Sequence, residues 1–402
     1  MDLRRLRDLL APSPTGVDAL HTIGDFRASA KRKLPRMVWD FVDGGADGEL
    51  AVHANRAALD EVLFSPRFLV DVANRDLTTK VFGTEVPVPL IFSPSGLATV
   101  VHPEGELAVA RAAADAGIIY GISTASGYSM EEIAEVSNGR LWFQLYLWKS
   151  EEVVQSLVSR AQRAGYEALI VTIDVPIVGK RERDLRNGMS LPVRVRPRTA
   201  LNAATRLPWL WRMLNGPEIT FASLTGLAPG DDASSIGEYT SRELTDPART
   251  WEDLAMIRRL WDGPLVVKGV MSPHDALAAV EHGADGVMIS NHGGRQISSV
   301  PGVAAVTPSI VDALDGRAEV FLDGGIRRGE DIVKARALGA TAACGGRLWF
   351  WPLAAGGREG VARAIDILTA DIDRTLALIG RRRYDDVDAS ALYQPSRTGA
   401  GR

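Results

Sequence analysis

The stretch SNHGGRQ at residues 290–296 places a histidine and an arginine on either side of two glycines, at the end of the apolar run GVMIS. His292 belongs to the one side-chain type that ordinarily titrates near neutral pH, so it could act as a general base. Arg295 could bind a substrate carboxylate through the planar fork of its guanidinium group. The alternative is an ordinary surface turn. Polar residues at the ends of other apolar runs disfavour that interpretation.

Three further side chains suited to charge chemistry also stand at the ends of apolar runs. Asp174 ends ALIVTIDVP, Lys268 ends PLVVKGV and Asp323 lies in EVFLDGGI. A buried strand interior would exclude these residues unless they were paired. Asp174 could orient His292 and stabilise its charged form, as a carboxylate does in a His–Asp pair. Lys268 could stabilise negative charge that develops on a bound cofactor.

Glycine–arginine clusters follow the last two apolar runs, as DGGIRRG at 323–329 and GGR at 345–347. Glycines allow backbone N–H groups to approach an anion, and Arg327 and Arg347 supply positive charge. Tight turns alone would also explain a single glycine pair. Two such clusters on successive strands favour a phosphate site, which barrels commonly place after their last two strands.

The elements that must position these residues alternate between short apolar runs and helical patterns. Most of the runs are almost continuously apolar, as expected of strands that are buried on both faces. The repeated strand–helix order predicts a (β/α)8 TIM barrel, with a doubly wound sheet as the competing architecture. The eight predicted strands lie at 88–96, 117–125, 141–148, 168–176, 264–270, 286–294, 319–326 and 339–349. In a barrel, all the polar strand ends meet at one face.

Three segments fall outside this repeat. Residues 1–87 form an N-terminal extension, helical at first, that is expected to cap the barrel of residues 88–385. A long insertion at 177–247 follows the fourth strand, so it should lie over the face where barrel active sites are found. Residues 386–402 are expected to form a C-terminal tail.

The composition limits the kind of protein this chain can be. The net charge of −4 offers no basic field for nucleic acid, so no nucleic-acid partner is expected. A single cysteine, Cys344, excludes internal disulfides and suits the cytoplasm. No apolar run approaches the length of a membrane span, and no secretory signal is recognisable. No metal is expected, since no two histidines fall at ligand spacing. The five histidines other than His292 lack functional neighbours and are read as structural: His21, His53, His102, His274 and His282.

Through these motifs the chain resembles the FMN-dependent α-hydroxy-acid oxidases and dehydrogenases. That family includes glycolate oxidase, lactate oxidase, L-lactate dehydrogenase and mandelate dehydrogenase. The resemblance runs from about residue 20 to about residue 385. Its most specific motifs are SNHGGRQ and LDGGIRRG, with FQLY, VTIDVP…GKRERDLRNGMS and VVKGV in support. The resemblance implies FMN as the cofactor and a homotetramer as the assembly.

The resemblance also implies roles for individual residues. His292 matches the active-site base, paired with Asp174, and Tyr146 matches the tyrosine that hydrogen-bonds the substrate hydroxyl. Arg295 and Arg181 match the residues that bind the substrate carboxylate.

A second implied set binds the flavin nucleotide. Lys268 matches the lysine at the flavin N1/C2 carbonyl. The residues matching polar contacts to the ring are Ser123, Gln144 and Thr172, and those lying against its face are Pro94, Ser95 and Gly96. The ribityl and phosphate binders are matched by Asp323, Gly325, Arg327, Gly346 and Arg347.

The implied reaction is the oxidation of an (S)-2-hydroxy acid to the 2-oxo acid, with electrons passing to oxygen, a quinone or a protein. A biosynthetic flavin oxidase acting on a modified peptide or natural-product intermediate is the alternative. A non-catalytic flavin- or phosphate-binding barrel is a third hypothesis, which the joint presence of His292, Asp174, Tyr146 and Arg295 disfavours.

Three departures from the family pattern bear on the substrate. Phe41 stands where the family usually has a tyrosine that contacts the substrate carboxylate. The missing hydroxyl either leaves Arg295 and Arg181 to hold the carboxylate alone or marks an unusual substrate, and packing is an equally good explanation of Phe41. Gly96 replaces the alanine of many oxidases, and Ala125 stands where glycolate oxidase has tryptophan. Both changes enlarge the pocket, so a substrate larger than glycolate is expected.

The insertion includes an arginine- and tryptophan-rich stretch at 193–214, VRVRPRTALNAATRLPWLWRML. Such a stretch could lie in a membrane interface, as the matching insertion does in mandelate dehydrogenase. An arginine-rich lid or subunit contact is favoured over peripheral contact at the inner membrane face, because Pro197 and Pro208 interrupt any continuous helix. Its basic and aromatic members are Arg194, Arg196, Arg198, Arg206, Arg212, Trp209 and Trp211.

Overall fold

A closed barrel of eight parallel strands lies at the centre of the computed structural model, which describes residues 15–189 and 196–394. Arg194 and residues 395–402 of the expected tail therefore lie outside the described residues. The strands are β1 (Thr79–Val81), β2 (Thr84–Val86), β3 (Leu90–Phe92), β4 (Ile119–Ser123), β5 (Leu141–Tyr146), β6 (Ala168–Thr172), β7 (Leu265–Val270), β8 (Gly286–Ser290), β9 (Glu319–Asp323) and β10 (Ala342–Gly345). Strands β3 to β10 run round the barrel in chain order, and β10 closes it against β3.

The predicted barrel is confirmed, although each strand is shorter than its apolar run. Residues 88–96, for example, contain a strand only at Leu90–Phe92. The run continues as SPSG, and its proline cannot donate a ladder hydrogen bond. The polar ends of the runs therefore leave the sheet and become the loops of the barrel mouth.

Helices follow the strands on the outside of the barrel, as the alternating pattern predicts. They are α1 (Ile23–Lys33), α2 (Arg36–Asp43), α3 (Leu50–Glu61), α4 (Gly105–Asp115), α5 (Met130–Glu135), α6 (Glu151–Arg163), α7 (Glu182–Asn187), α8 (Pro197–Ala204), α9 (Leu207–Leu214), α10 (Ala233–Glu243), α11 (Trp251–Leu260), α12 (Pro273–Glu281), α13 (Val303–Leu314), α14 (Gly329–Ala337) and α15 (Arg347–Ile379). Ser150 and Ser272 cap α6 and α12 by accepting a backbone N–H in the first turn. The last helix, α15, is kinked at Gly356 and Gly357.

The end of the barrel opposite the mouth is closed by the antiparallel hairpin of β1 and β2, which the sequence pattern did not predict. Phe82, at the tip of the hairpin, lies 5.6 Å from the Trp142 ring and 5.8 Å from the Phe321 ring, measured between centroids. These aromatic contacts fill the bottom layer of the barrel. The interior of the barrel is therefore open to a ligand at its opposite end.

At the mouth, the N-terminal extension and the insertion meet. Arg183 in α7 forms ion pairs with Asp43 in α2 and with Glu49 just before α3. The insertion supplies α7 to α10, and no strand of the barrel occurs between Thr172 and Leu265 in the described part of the chain. None of the described helices is long and apolar enough to cross a membrane.

Candidate active site

The residues of SNHGGRQ form a tight turn directly beyond β8. His292 has φ of 58°, a left-handed conformation that is uncommon for any residue other than glycine, and Gly293 and Gly294 follow at 61° and 77°. The Ser290 hydroxyl accepts the N–H of His292 at 3.1 Å, and the Asn291 side chain accepts the N–H of Gly294 at 3.1 Å. Side chains of the turn thus fix its own backbone, and the imidazole of His292 lies at the barrel mouth.

His292 and Asp174 lie in contact, as the sequence predicted, although 118 residues separate them. The Nδ1 atom of His292 is 3.0 Å from Oδ1 of Asp174. Burial raises the pKa of the Asp174 carboxyl, but the adjacent imidazole and Lys268 outweigh it and hold that pKa below its ordinary value. Burial also lowers the pKa of His292, against the attraction of Asp174. An ionised Asp174 therefore accepts a hydrogen bond from the Nδ1–H of a neutral His292, and Nε2 is left as the basic nitrogen.

A glycine in the neighbouring strand makes room for Asp174. Gly269 lies at a bulge in β7, where the register with β8 shifts, and has φ of 107°. A Cβ atom at Gly269 would lie 2.6 Å from the Cβ of Asp174, so no larger residue fits without displacing the carboxylate. Gln296 holds the same loop from the other side by donating to the carbonyl of Asp174 at 2.9 Å. Neither Gly269 nor Gln296 was singled out in the sequence, although Gln296 closes the SNHGGRQ motif.

Lys268 lies within a buried hydrogen-bonded cluster at the ends of four strands. Its Nζ atom is 3.2 Å from the Ser290 hydroxyl and 3.4 Å from Oδ2 of Asp323. The hydroxyls of Ser290 and Ser93 donate to the two oxygens of Asp323 at 2.8 Å and 2.5 Å. Burial lowers the pKa of Lys268, but Asp323 and Asp174 outweigh it and raise that pKa overall. Lys268 is therefore a fixed positive charge, and Ser93 and Ser290 are supporting residues that the sequence interpretation missed.

A row of polar side chains crosses β4, β5 and β6. The Ser123 hydroxyl donates to Oε1 of Gln144 at 3.1 Å, and Nε2 of Gln144 donates to the Thr172 hydroxyl at 3.0 Å. The register pairs Ser123 with Gln144, so their side chains belong to the same layer of the barrel. All three side chains are buried, and their mutual hydrogen bonds keep them oriented.

Four arginines converge on the mouth: Arg181, Arg295, Arg327 and Arg347. None of them forms an ion pair with a carboxylate within residues 15–189 and 196–394. Burial lowers the pKa of each guanidinium group, and for Arg327 burial with Arg347 and Arg56 lowers it to about 9. Carboxylates such as Asp184 and Asp43 lie near enough to act on these cations but do not contact them, so the cluster favours the binding of anions in the cavity.

Arg295 is held by the last turn of α2 and by Gly44 directly after it. Its Nη1 atom donates to the carbonyl oxygens of Phe41 at 2.6 Å and Gly44 at 2.9 Å. The Phe41 ring lies 5.1 Å from the guanidinium carbon, in cation–π contact. Arg181 is adjacent, with its Nε 3.5 Å from the carbonyl oxygen of Arg295. Phe41 therefore has a packing role of its own against Arg295.

Arg327 and Arg347 lie at the starts of α14 and α15, and Arg347 shares the carbonyl of Gly44 with Arg295. Arg327 lies 4.6 Å over the Trp351 ring and donates to its neighbour's carbonyl, Ile326, at 2.6 Å. Arg347 donates to the carbonyl oxygens of three residues, Val42, Gly44 and Gly293. A guanidinium group has five N–H donors, so Arg347 keeps two for a ligand while it joins the loops.

Gly96 and Ala125 form a contiguous wall of the mouth. A Cβ atom at Gly96 would lie 2.7 Å from both the Cβ and the carbonyl oxygen of Ala125. The two small residues, predicted separately to widen the pocket, are thus in direct contact. Pro94 and Ser95 precede this wall, and a Cβ at Gly346 would lie 2.4 Å from the Ser95 hydroxyl.

These groups line one cavity of about 1360 Å³, a volume that includes the open solvent at its mouth. Tyr146 lines it, and burial raises the pKa of its phenol, which keeps the hydroxyl protonated. The insertion adds Phe221, Thr240 and Leu244 to the lining of the cavity. Their place there was not predictable from the sequence, because the insertion lacks a regular apolar repeat. The cavity wall also includes Asp323, Gly325 and Gly346 from the predicted nucleotide set. Ser123, Gln144 and Thr172 lie buried one layer away.

The residues present fit the FMN group that the sequence resemblance implies. Arg327 and Arg347, which line the cavity beside glycines at two helix starts, suit a phosphate. The buried Lys268 and the hydroxyl-lined Asp323 provide charge and hydrogen-bonding groups between the phosphate end and the His292 end. The Arg295 and Arg181 pair is left over for a second anion, the size of a carboxylate.

Comparison with known proteins gives the same description. A model of the FMN-dependent dehydrogenase family matches residues 30–394. L-lactate oxidase from Nostoc sp. is 41% identical over 94% of this chain and 100% of its own length. Glycolate oxidase from Spinacia oleracea is 37% identical over 92% of this chain and 95% of its own length. The solved structure of (S)-mandelate dehydrogenase, described as a monotopic membrane protein, has a TM-score of 0.89 at 37% identity, covering 94% of this chain and 100% of that one.

Proposed function

Because the chain belongs to the FMN-dependent dehydrogenase family, whose members oxidise 2-hydroxy acids, we propose that it converts an (S)-2-hydroxy acid larger than glycolate to the 2-oxo acid. The observation that carries the proposal is the His292–Asp174 pair, with His292 facing the same cavity as four arginines that form no ion pair with a carboxylate in the described part of the chain. Bound FMN would supply the two-electron acceptor next to this cavity. The remaining steps are assigned to side chains of this chain.

His292 is the proposed base. Its Nδ1–H is committed to Asp174 at 3.0 Å, so Nε2 receives the proton that the substrate loses. The reaction removes one proton and a hydride equivalent from the hydroxyl-bearing carbon and its oxygen. The same base serves whether the proton leaves oxygen together with hydride transfer or leaves carbon first. Asp174 then stabilises the imidazolium that forms.

Arg295 and Arg181 are proposed to hold the substrate carboxylate. The bonds from Arg295 to Phe41 and Gly44 fix the guanidinium plane before substrate arrives, which lowers the ordering cost of binding. Tyr146, kept protonated by burial, is proposed to donate a hydrogen bond from its hydroxyl to the substrate oxygen. Two separate contacts, one at the carboxylate and one at the hydroxyl, set which face of the substrate carbon meets the cofactor.

The cofactor is proposed to be held from three sides. Arg327, Arg347, Gly325 and Gly346 are assigned to the phosphate, and Asp323 to the ribityl chain. Lys268 is assigned to the ring carbonyl, where its fixed charge favours added electron density. The remaining assigned ring contacts are Pro94, Ser95, Gly96, Ser123, Gln144 and Thr172.

The substrate size follows from the cavity wall. The cavity is lined by the small residues Gly96 and Ala125, which pack against each other, and by the apolar side chains of Phe221 and Leu244 from the insertion. Such a pocket favours a 2-hydroxy acid with an aliphatic or aromatic side chain, since each buried methylene contributes about 0.8 kcal/mol. The lactate and mandelate enzymes among the relatives act on acids of this kind, whereas the glycolate oxidase among them acts on the smallest 2-hydroxy acid.

Anaerobic mixing of the purified flavoprotein with a panel of 2-hydroxy acids tests the proposal. We expect bleaching of the flavin absorbance by (S)-lactate, (S)-mandelate or a similar acid, with glycolate slower by about tenfold or more. Reduction by none of the acids would contradict the proposal and favour the modified-peptide oxidase. Admitting oxygen or a soluble quinone afterwards identifies the electron acceptor. The exposed apolar surface of α8 and α9 favours a quinone.

Replacing Asp174 with asparagine should make His292 a weaker base and lower the pH at which it titrates. Asp174 raises the pKa of His292, so its loss lowers that pKa further and shifts the acidic limb of kcat/KM to lower pH. The wrong imidazole tautomer should also cut the rate by about 10²- to 10⁴-fold. Flavin reduction rates measured from pH 4 to 9 check both effects. If D174N kept both the wild-type rate of flavin reduction and the wild-type position of the acidic limb, Asp174 would have no part in the mechanism.

We also propose that helices α8 and α9 contact the surface of an anionic membrane. Each proline begins a helix rather than breaking one, and neither helix has a buried residue. Their exposed side chains include Leu201, Leu207, Trp211 and Leu214, which are between 67% and 76% exposed. Arg206 joins them to the end of α1 by donating to the carbonyl of Leu34, next to the exposed basic run at 31–33. Apolar and basic groups together suit a monotopic contact.

Sedimentation with vesicles tests this surface. Wild-type protein should pellet with vesicles containing phosphatidylglycerol at low salt, and L207E/W211E should reduce the bound fraction about tenfold or more. L378E replaces an equally exposed leucine on α15 and serves as the matched control. Equal pelleting of L207E/W211E and L378E, or no pelleting of the wild type, would contradict the proposal and favour a lid or subunit contact.

A homo-oligomer remains part of the proposed function. The loop before the barrel exposes Phe68, Leu69 and Val70 by 78%, 107% and 37%, an apolar tip with no cover in the single chain. This tip supports a contact with a second copy, and a tetramer is the proposed assembly. Light scattering of the purified holoenzyme measures its mass directly.

A further inference from the structure

A buried carboxyl outside the proposed catalytic set connects two loops of the barrel mouth. Glu106 lies in the first turn of α4 and is fully buried. Its Oε1 atom accepts the N–H of Ala98 at 3.0 Å and the N–H of Gly127 at 3.1 Å. Ala98 belongs to the loop after β3 and Gly127 to the loop after β4, so one oxygen joins both.

These two loops carry the small-residue wall of the cavity. Leu97, at φ of 60°, donates its N–H to the carbonyl of Ala125 at 2.9 Å, directly beside the Gly96–Ala125 contact. Gly96, Leu97 and Ala125 all line the cavity. A left-handed leucine costs free energy and persists only where its surroundings hold it. Ala125 and Ser126 are also bonded to Ser123 within their own loop, whereas the two bonds to Glu106 join one loop to the other immediately beyond this wall.

We propose that Glu106 is a positioning residue that fixes the Gly96–Ala125 wall against the flavin and thereby sets the size of side chain the cavity accepts. The inference rests on the proposed oxidation of 2-hydroxy acids. Without Glu106, the N–H groups of Ala98 and Gly127 would be buried without an acceptor, and the loops would rearrange to reach water. The wall would lose its spacing, whereas the carboxylate-binding arginines on the other side would keep theirs.

The use of a single oxygen predicts which substitution is tolerated. Oε2 of Glu106 makes no hydrogen bond to the described residues, and burial raises the pKa of the carboxyl. A glutamine would keep one oxygen for both N–H groups and place its amide nitrogen where Oε2 lies. Glu106→Gln should therefore preserve the wall, and Glu106→Ala should release it.

The holoenzyme variants E106A and E106Q, with E319A as the matched control, test the inference. Glu319 also accepts a backbone N–H, that of Phe82 at 2.7 Å, but at the closed end of the barrel. E106A should change the ratio of kcat/KM for a bulky and a small 2-hydroxy acid by about tenfold and alter the visible circular dichroism of the flavin. E106Q and E319A should keep the wild-type ratio and spectrum.

The outcomes separate this inference from the proposed function. If E106A only lowers Tm, as E319A does, and keeps the wild-type ratio and flavin spectrum, Glu106 is merely structural and the inference fails. If the wild type oxidises no 2-hydroxy acid, the proposed function fails, and the flavin spectrum of E106A against E106Q still decides whether Glu106 positions the wall. Should E106A not fold, an E106Q ratio and spectrum that both depart from wild type would overturn the inference, and retention of both would support it.

Discussion

Replacing His292 with glutamine is expected to slow the reduction of bound flavin by a 2-hydroxy acid by about 10⁴-fold while the protein stays yellow. Glutamine has a similar reach but cannot accept the proton at neutral pH. The flavin should remain bound because the residues assigned to it lie on or directly after other strands, β3 to β7, β9 and β10. Stopped-flow absorbance under anaerobic conditions measures the reduction step without involving the electron acceptor.

A second histidine provides the control. His282 lies at the end of α12, with its ring 6.0 Å from Trp251 and its Nδ1 2.7 Å from the carbonyl oxygen of Ala278. H282Q makes the same chemical change on the outside of the barrel and should reduce at the wild-type rate. If H292Q retained more than about a tenth of that rate, His292 would not be the base.

Replacing Arg295 with lysine is expected to lower kcat/KM by about a hundredfold, equivalent to about 3 kcal/mol. An ammonium group has no planar fork, so it cannot bond the carbonyls of Phe41 and Gly44 and also bind a carboxylate in bidentate fashion. The loop itself should stay in place, because Arg347 also donates to Val42 and Gly44. Most of the loss should therefore appear in binding of the substrate and of its 2-oxo acid product.

The matched control for this change is R140K. Arg140 forms an ion pair with Glu167 and donates to the carbonyl of Val81 at 3.1 Å, at the closed end of the barrel. Its replacement should cost stability without affecting the binding of product. Equal product affinity for R295K and wild type, measured by titration of the flavin absorbance, would show that Arg295 only organises the loop.

Much of the site was predictable from the sequence because of one geometric rule. The carboxyl ends of parallel strands in a barrel meet at one face, so polar residues that end successive apolar runs must converge. His292 and Asp174 are 118 residues apart, and strand order alone predicts that they share a face. The regular alternation of runs and helices supplies that order without any knowledge of side-chain contacts.

Other features needed the folded chain. The apolar runs gave the strands but overestimated their lengths, since a loop can be as apolar as a strand. The sequence marked Pro197 and Pro208 as interruptions, whereas in the fold they begin two amphipathic helices. Phe221 and Leu244 could not be assigned to the cavity, because an irregular insertion has no periodicity from which to read its direction.

The sequence by itself thus determined the barrel, its open face and the chemical groups that gather there, because all three depend on local pattern and strand order. Tertiary structure alone decided how those groups are held: the contact between Gly96 and Ala125, the space at Gly269 for Asp174, and the two loops joined through Glu106. Such contacts depend on distances of a few tenths of an ångström between segments far apart in the chain. No local pattern of residue types encodes them, since close packing is a property of the assembled fold.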